Sequence, residues 1–401
     1  MKIAIIGSGI SGLCCASLLG EKHQVDIYEK QSKIGYSSEA IEIDNFCVDI
    51  PLRIFNMAYY QNAKKILGHL IHFREISTDL QSYNFSFQDT KLMLTYLPTI
   101  LKFKVFMNLD IVFNGTFFAW LKLYFDVNNL FIQTYLNNMA WNLSCSLANV
   151  KDYPFQFIRK YSKILFSHKW YSIKQGSVSL SRLLTKNANV FLNTPISEIE
   201  FNGKQVFINK IQYDHIIIAT EPNYVPPLLK QLKQNVNIEK FFSTFKVVRR
   251  ELVLHTDSSV LNRCVYQQNN WASINTFSTD SETELTVWCN KAYNYNFKEN
   301  IFQTWNPIQQ IDPSKIIKRC WFNRSIQTKE SQEQIPKLSN IHPKIHFCGS
   351  YATSGVCLQE EAITSAMTVC QNIEPIQNSH FLQYKYLLFV LFGCIFSYYI
   401  S

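Results

Sequence analysis

The segment IAIIGSGISGLCCASLLG, residues 3–20, restricts the start of this chain to one local geometry. Gly7, Gly9 and Gly12 cut an otherwise apolar run where a leader helix would have to form, so the run reads as a loop and not as a secretory signal. Ile3-Ala4-Ile5-Ile6 has the short apolar character of a central parallel strand, and Leu13 to Leu19 suit a helix. Gln24-Val25-Asp26-Ile27-Tyr28 then leads, as a second strand, to an acid at Glu29. Strand, G-x-G-x-x-G turn, helix and a strand-terminal acid together describe a dinucleotide-binding βαβ unit.

The chemistry follows from that geometry. Gly7 allows the tight turn, Gly9 lets the backbone approach a pyrophosphate, and Gly12 lets helix and strand pack closely. Ile10 and Ser11 then open a helix whose N-terminus faces the anion. A carboxylate at Glu29 accepts hydrogen bonds from ribose hydroxyls and repels a 2′-phosphate, which points to FAD or NAD over NADP.

A chain of 401 residues exceeds one simple core and implies two domains, interleaved or consecutive. The net charge of +9 is carried by scattered lysines with no dense basic block interleaved with aromatics. That argues against nucleic acid and fits a surface near anionic lipid. Eleven cysteines, an odd count without CxxC pairs, read as reduced thiols. No metal-ligand set, no G-x-S-x-G nucleophile motif and no internal repeat is present.

Beyond FCVDIPLRIFN (46–56) comes an aromatic-rich stretch from about Met57 to Trp170, with helical spacing in its later part, that reads as an apolar substrate region. KQGSVSLSRLL precedes strand-like segments that end in the buried run Ile216-Ile217-Ile218, so the chain returns to its first sheet. Residues 241–323 are again strand-rich and aromatic, and KIHFCGSYATSGVCLQEEAITSAMTVCQ is another strand, loop and helix.

With these motifs in order, the sequence resembles the amine oxidase-like flavoproteins over about residues 1–373. It is most similar to the branch that also occurs as the N-terminal oxidoreductase domain of plant cyclopropane fatty acid synthases. GSGISG with Glu29 matches the FAD loop and its ribose acid, and Lys33-Ile34-Gly35 stands where the family has Arg-x-Gly-Gly beside the flavin. Val48-Asp49 and Phe55-Asn56 match a VDxGxxxFN stretch, Asp214 to Thr220 the strand closing the FAD domain, and FCGSY the closing flavin motif. LHTD, WASIN and Asn306-Pro307 also match, in order.

The resemblance implies an α/β fold whose Rossmann-like FAD-binding domain is assembled from separated segments 1–56, 174–240 and 340–375. A mixed α+β substrate domain is inserted as 57–173 and 241–339. It implies FAD held by Gly7, Gly9, Ile10, Ser11, Gly12, Glu29, Lys33, Gly35, Asp49, Asn56, Ala219, Thr220, Gly349 and Ser350. Lys246 falls near the place where amine oxidases carry a lysine that holds a water against the flavin ring, although an ordinary solvent-facing strand lysine has the same signature. The expected activity is hydride transfer to flavin from a small-molecule or lipid-derived, hydrophobic substrate, with no metal. The alternative is a degenerate flavin-binding scaffold or partner subunit.

Departures favour that alternative. Tyr36 replaces the second glycine of the doublet, Pro51 the glycine of VDxG, and Gln175 breaks a Gly-Gly-Ser. The branch's His-Glu-Asp-Gly is absent, with Cys357-Leu358-Gln359-Glu360 in its place. Each lost glycine adds a side chain where backbone would approach a cofactor. His255 with Asp257, and Trp271 and Trp288, are further candidates for acid–base or cavity-lining roles. Last, residues 381–401 are apolar on every side, with fifteen uncharged residues from Tyr386 to Ile400. They are expected to form a C-terminal hydrophobic helix that anchors the globular part on the cytoplasmic face of a membrane.

Overall fold

Ile3 and Ile5 enter one hydrophobic core while Ala4 and Ile6 enter another, so the first strand is covered on both faces, as an apolar run without alternation requires. In the computed structural model, which describes residues 1–77, 80–82, 90–165, 169–232, 237–261, 272–279 and 281–375, this strand lies at the centre of a five-stranded parallel sheet. The order is Ile345–Phe347, His215–Ile218, Lys2–Ile6, Gln24–Tyr28, Asn189–Phe191. Ile5 pairs with Ile217 on one side and Ile27 on the other, and Ile217 with His346 beyond. The sheet is thus built from pieces far apart in sequence.

Helix Ile10–Leu19 and helix Gln359–Ile373 pack against each other on one face of this sheet. Their buried residues, Leu13, Ala16, Ile363 and Ala366 among them, share a core with the helical insertion. That insertion runs through Thr90–Asn108, Phe117–Tyr124, Leu130–Asn142, Leu147–Asp152 and Phe155–Leu165. Trp120 is its fully buried centre, stacked on Phe117 and tilted against Phe155.

A second, six-stranded sheet follows the order Ile316–Ile326, Lys246–His255, Phe302–Trp305, Thr283–Trp288, Ile274–Ser278, Leu80–Ser82. Its pairs are antiparallel except the last. Small sheets join the two parts: Ile54–Asn56 and Phe73–Ile76 both flank Trp170–Ile173.

Where the strand-rich, aromatic pattern is expected to open at Phe241, the structure has a short helix, Ile238–Phe242, capped by the Asn237 side chain, and the strand begins at Lys246. Phe241, Phe242 and Phe245 there pack beneath the parallel sheet. The expected C-terminal anchor, residues 381–401, lies outside the described residues; the last described helix is Gln359–Ile373, and among the described residues no helix is long and apolar enough to cross a membrane.

Candidate functional site

The glycine loop leaves the sheet after Ile6. Gly7 takes a φ of +103°, and a Cβ there would come 2.9 Å from the carbonyl oxygen of Ala219, which follows the neighbouring strand. Gly12 is tighter, since an added Cβ would lie 2.2 Å from the Gly7 oxygen. Gly9 differs: a Cβ on it would meet nothing within 4 Å. Helix Ile10–Leu19 begins at that open side with no side-chain cap and no acid in its first turn. Its leading N–H groups and the positive end of its dipole are left for an anion. These residues fit a dinucleotide pyrophosphate.

Glu29 closes the other side. It is buried, and its carboxylate accepts from the Ser8 N–H at 3.0 Å, the Ser8 hydroxyl at 2.5 Å and the Gln31 N–H at 3.0 Å. Ser8 Oγ also accepts from the Gly35 N–H at 2.7 Å, and the Ser8 carbonyl from the Tyr36 N–H at 3.0 Å. Ser8 therefore ties Glu29 and the Gly35 turn to the glycine loop. It was missed from sequence because the position between the first two glycines carries no required letter. Lys33 is exposed on the same turn.

Ala219 and Thr220 are half-buried at the loop's edge, with Glu221 beyond them accepting from Asn323 Nδ2 at 2.6 Å. Gly349 has φ +148° and donates its N–H to Ser365 Oγ at 2.9 Å, with Ser350 half-buried beside it. Asp49 is buried and accepts from Ser177 N–H and Oγ at 2.9 and 2.6 Å; burial raises its carboxyl pKa. Asn56 is buried and holds a turn, Oδ1 accepting from the Ala58 N–H at 3.0 Å.

Tyr36 is buried, and its hydroxyl donates to Gln359 Oε1 at 2.6 Å, at the start of the closing helix. The Arg53 guanidinium lies 4.4 Å from its ring centre and donates to its carbonyl at 2.8 Å. The position occupied by glycine in the resembling family is thus filled here by a tyrosine–arginine stack. Cys357 is a buried thiol at φ +60°, with its pKa pushed up by burial. Glu361 is buried beneath it, accepting from the Tyr59 hydroxyl and from the Leu358 N–H at 2.8 Å; burial pushes its carboxyl up to about 7.

Lys246 is exposed at the first position of its strand, opposite Ile326. His255 is buried, with Nε2 2.8 Å from Thr304 Oγ1 and Nδ1 accepting from the Asp257 N–H at 3.1 Å; burial pushes its pKa down to about 4. Asp257 lies past the strand's end and braces a turn. Burial opposes its ionisation, but hydrogen bonds from Asp312, Ser259 and Lys315 outweigh this and hold it at about 2. Both side chains are thus held in place, His255 by the neighbouring strand and Asp257 by the adjoining turns. Trp288 is half-buried and donates to Asn300 Oδ1 at 3.1 Å, while Trp271 lies outside the described residues. Among the described residues no group of three or more His, Cys, Asp and Glu side chains is arranged to hold a metal.

Residues 5–70 match the model of the NAD(P)-binding Rossmann-like domain. No curated protein matches the chain in sequence. Its fold, by contrast, matches solved structures over nearly its whole length. An oxidoreductase from Methanosarcina mazei is 12% identical with a TM-score of 0.67, covering 92% of this chain and 100% of its own. Cyclohexylamine oxidase from Brevibacterium oxydans is 11% identical with a TM-score of 0.66, covering 93% and 99%. A redesigned putrescine oxidase is 12% identical with a TM-score of 0.64, covering 93% and 98%. The chain shares the fold of these three proteins.

Proposed function

We propose that this chain binds FAD and acts as a flavin-dependent oxidoreductase on a hydrophobic substrate. The observation that carries the reading is the open face at Gly9, set at an uncapped helix N-terminus and closed on its far side by the buried Glu29 carboxylate. A shared fold alone would not distinguish a binder from a relic. Bound FAD would accept a hydride from the substrate carbon. The chain's own contribution is positional: Gly9 admits the pyrophosphate, Glu29 orients a ribose, and Asp49 and Ser177 fix the turn that carries Arg53. The lipid-derived character of the substrate rests on the resemblance to the fatty-acid-associated branch.

A second reading, a flavin-binding scaffold without turnover, is favoured by one observation. Tyr36 is buried and bonded to Gln359, next to the flavin by the resemblance. The absorption spectrum of the purified protein with and without dithionite, followed by air, separates these readings. A yellow protein that bleaches and reoxidises in air faster than free flavin supports an enzyme. Flavin that bleaches and reoxidises no faster than free flavin supports the scaffold, and a colourless protein that added FAD does not reconstitute contradicts both.

A further inference from the structure

Helix Thr90–Asn108 is apolar on two opposite faces. Its inner face seats Phe103 and Met107 in the core, with Tyr96, Ile100 and Phe106 packed against it and the Phe103 ring centre 4.5 Å from that of Tyr135. The outer face repeats Leu94, Leu97, Leu101 and Val105 at the three- and four-residue spacing that keeps them in one stripe. All four are exposed, Leu94 by 71%, Leu101 by 53% and Val105 by 56%. A helix packed on a globular body turns polar residues outward, and this one does not.

Cations edge the stripe. At 100° per residue Lys91 and Lys102 fall on one side of it and Lys104 on the other, and all three are exposed. Lys102 Nζ donates to the Tyr124 carbonyl at 2.6 Å, and the Phe106 and Tyr124 ring centres are 5.0 Å apart. Helix Phe117–Tyr124 therefore abuts this helix and adds the exposed Lys122 and Leu123. Residues 90–125 hold four lysines and one acid, Asp110, which is paired with Arg159 at 3.3 Å.

An apolar stripe between lysines matches the boundary of an anionic lipid leaflet, where acyl chains take the leucines and the lysine stems reach the headgroups. A second copy fits poorly, because a two-fold interface over the stripe brings the same lysines of both copies together. The helix does not cross a bilayer, since among the described residues no helix is long and apolar enough.

We propose that helix Thr90–Asn108 is a membrane-docking surface that lies along an anionic lipid leaflet, with Leu94, Leu97, Leu101 and Val105 in the acyl boundary and Lys91, Lys102 and Lys104 among the headgroups. This docking depends neither on the flavoenzyme reading nor on residues 381–401.

Sedimentation of the full-length protein with vesicles of phosphatidylcholine alone, and with vesicles containing about 30% phosphatidylserine, tests this. The parent binds the anionic vesicles at least roughly tenfold more tightly than the neutral ones. The triple variant Leu94→Gln, Leu101→Gln, Val105→Gln weakens that binding roughly tenfold or more, with circular dichroism and melting temperature unchanged. Lys91→Glu combined with Lys104→Glu reduces the preference for anionic vesicles. In the parent, anionic vesicles slow amide hydrogen exchange over residues 90–112 and leave strand Lys246–His255 unchanged. No binding to anionic vesicles, no preference for them over neutral ones, equal binding by the parent and the triple variant, or unchanged exchange over residues 90–112 each overturn the proposal. A dimer that the triple variant abolishes, without vesicle binding, assigns the stripe to a second copy and overturns it too. If the triple variant does not fold, the exchange measurement on the parent decides.

Discussion

Three glycines in one loop face three different surroundings, and the difference sets what a methyl group does at each. At Gly12 a Cβ would sit 2.2 Å from backbone, so Gly12→Ala forces helix Ile10–Leu19 off the first strand. It should cost about 1–3 kcal/mol or more in urea unfolding, whereas Gly9→Ala, with nothing within 4 Å, should stay within about 0.5 kcal/mol of the parent. Glu361 gives a pH signature. Its folded pKa is raised from 4.5 to about 7, so the folded chain keeps this proton to higher pH than the unfolded chain. Stability from this group is therefore greatest below the lower value, falls as pH rises towards the upper one, and is flat above it. The fall is on the order of 3 kcal/mol. Urea unfolding at about pH 5 and about pH 8 should show it in the parent and a flatter profile in Glu361→Gln; equal slopes would mean that the carboxyl is ionised in the folded state throughout. At this scale the sequence showed the loop glycines and Glu29, because backbone geometry allows few other letters there. It hid Ser8, since the position between the first two glycines of the loop accepts most residues.

Elements were legible where one period dominated. The apolar runs of Lys2–Ile6 and His215–Ile218 announced strands buried on both faces, and the aromatic stretch announced helices. The register of Lys246–His255 against Ile316–Ile326 was not legible, because nothing local ties residues about 70 apart. The short helix Ile238–Phe242 was not legible either, since its phenylalanines suit helix or strand. In the helical insertion Trp120 contacts Phe103, Phe117, Phe125 and Phe155 and has a buried indole N–H with no described partner. Trp120→Ala should cost about 3–5 kcal/mol. Trp120→Phe should cost less than about 2 kcal/mol, because it removes an unsatisfied donor along with the lost volume. Urea midpoints of the two variants check the ranking, and a Phe variant as unstable as the Ala variant would show that the indole N–H is satisfied.

At the scale of the whole molecule, a parallel sheet gathered from distant segments brings the glycine loop, Glu29, Thr220 and Gly349 to one edge. Such convergence makes folding and cofactor binding mutually supporting, so added FAD should raise the melting temperature, and more so at higher FAD concentration. The central claim is that the open side of Gly9 is where the dinucleotide lies. It is tested most directly by the FAD content of the parent and of Gly9→Val, purified side by side, released by denaturation and quantified by fluorescence. The account predicts FAD bound near one per chain in the parent and less than roughly a tenth of that in Gly9→Val, with both proteins showing the same circular dichroism. Equal FAD in the two proteins, or none in the parent after incubation with excess FAD, would contradict it.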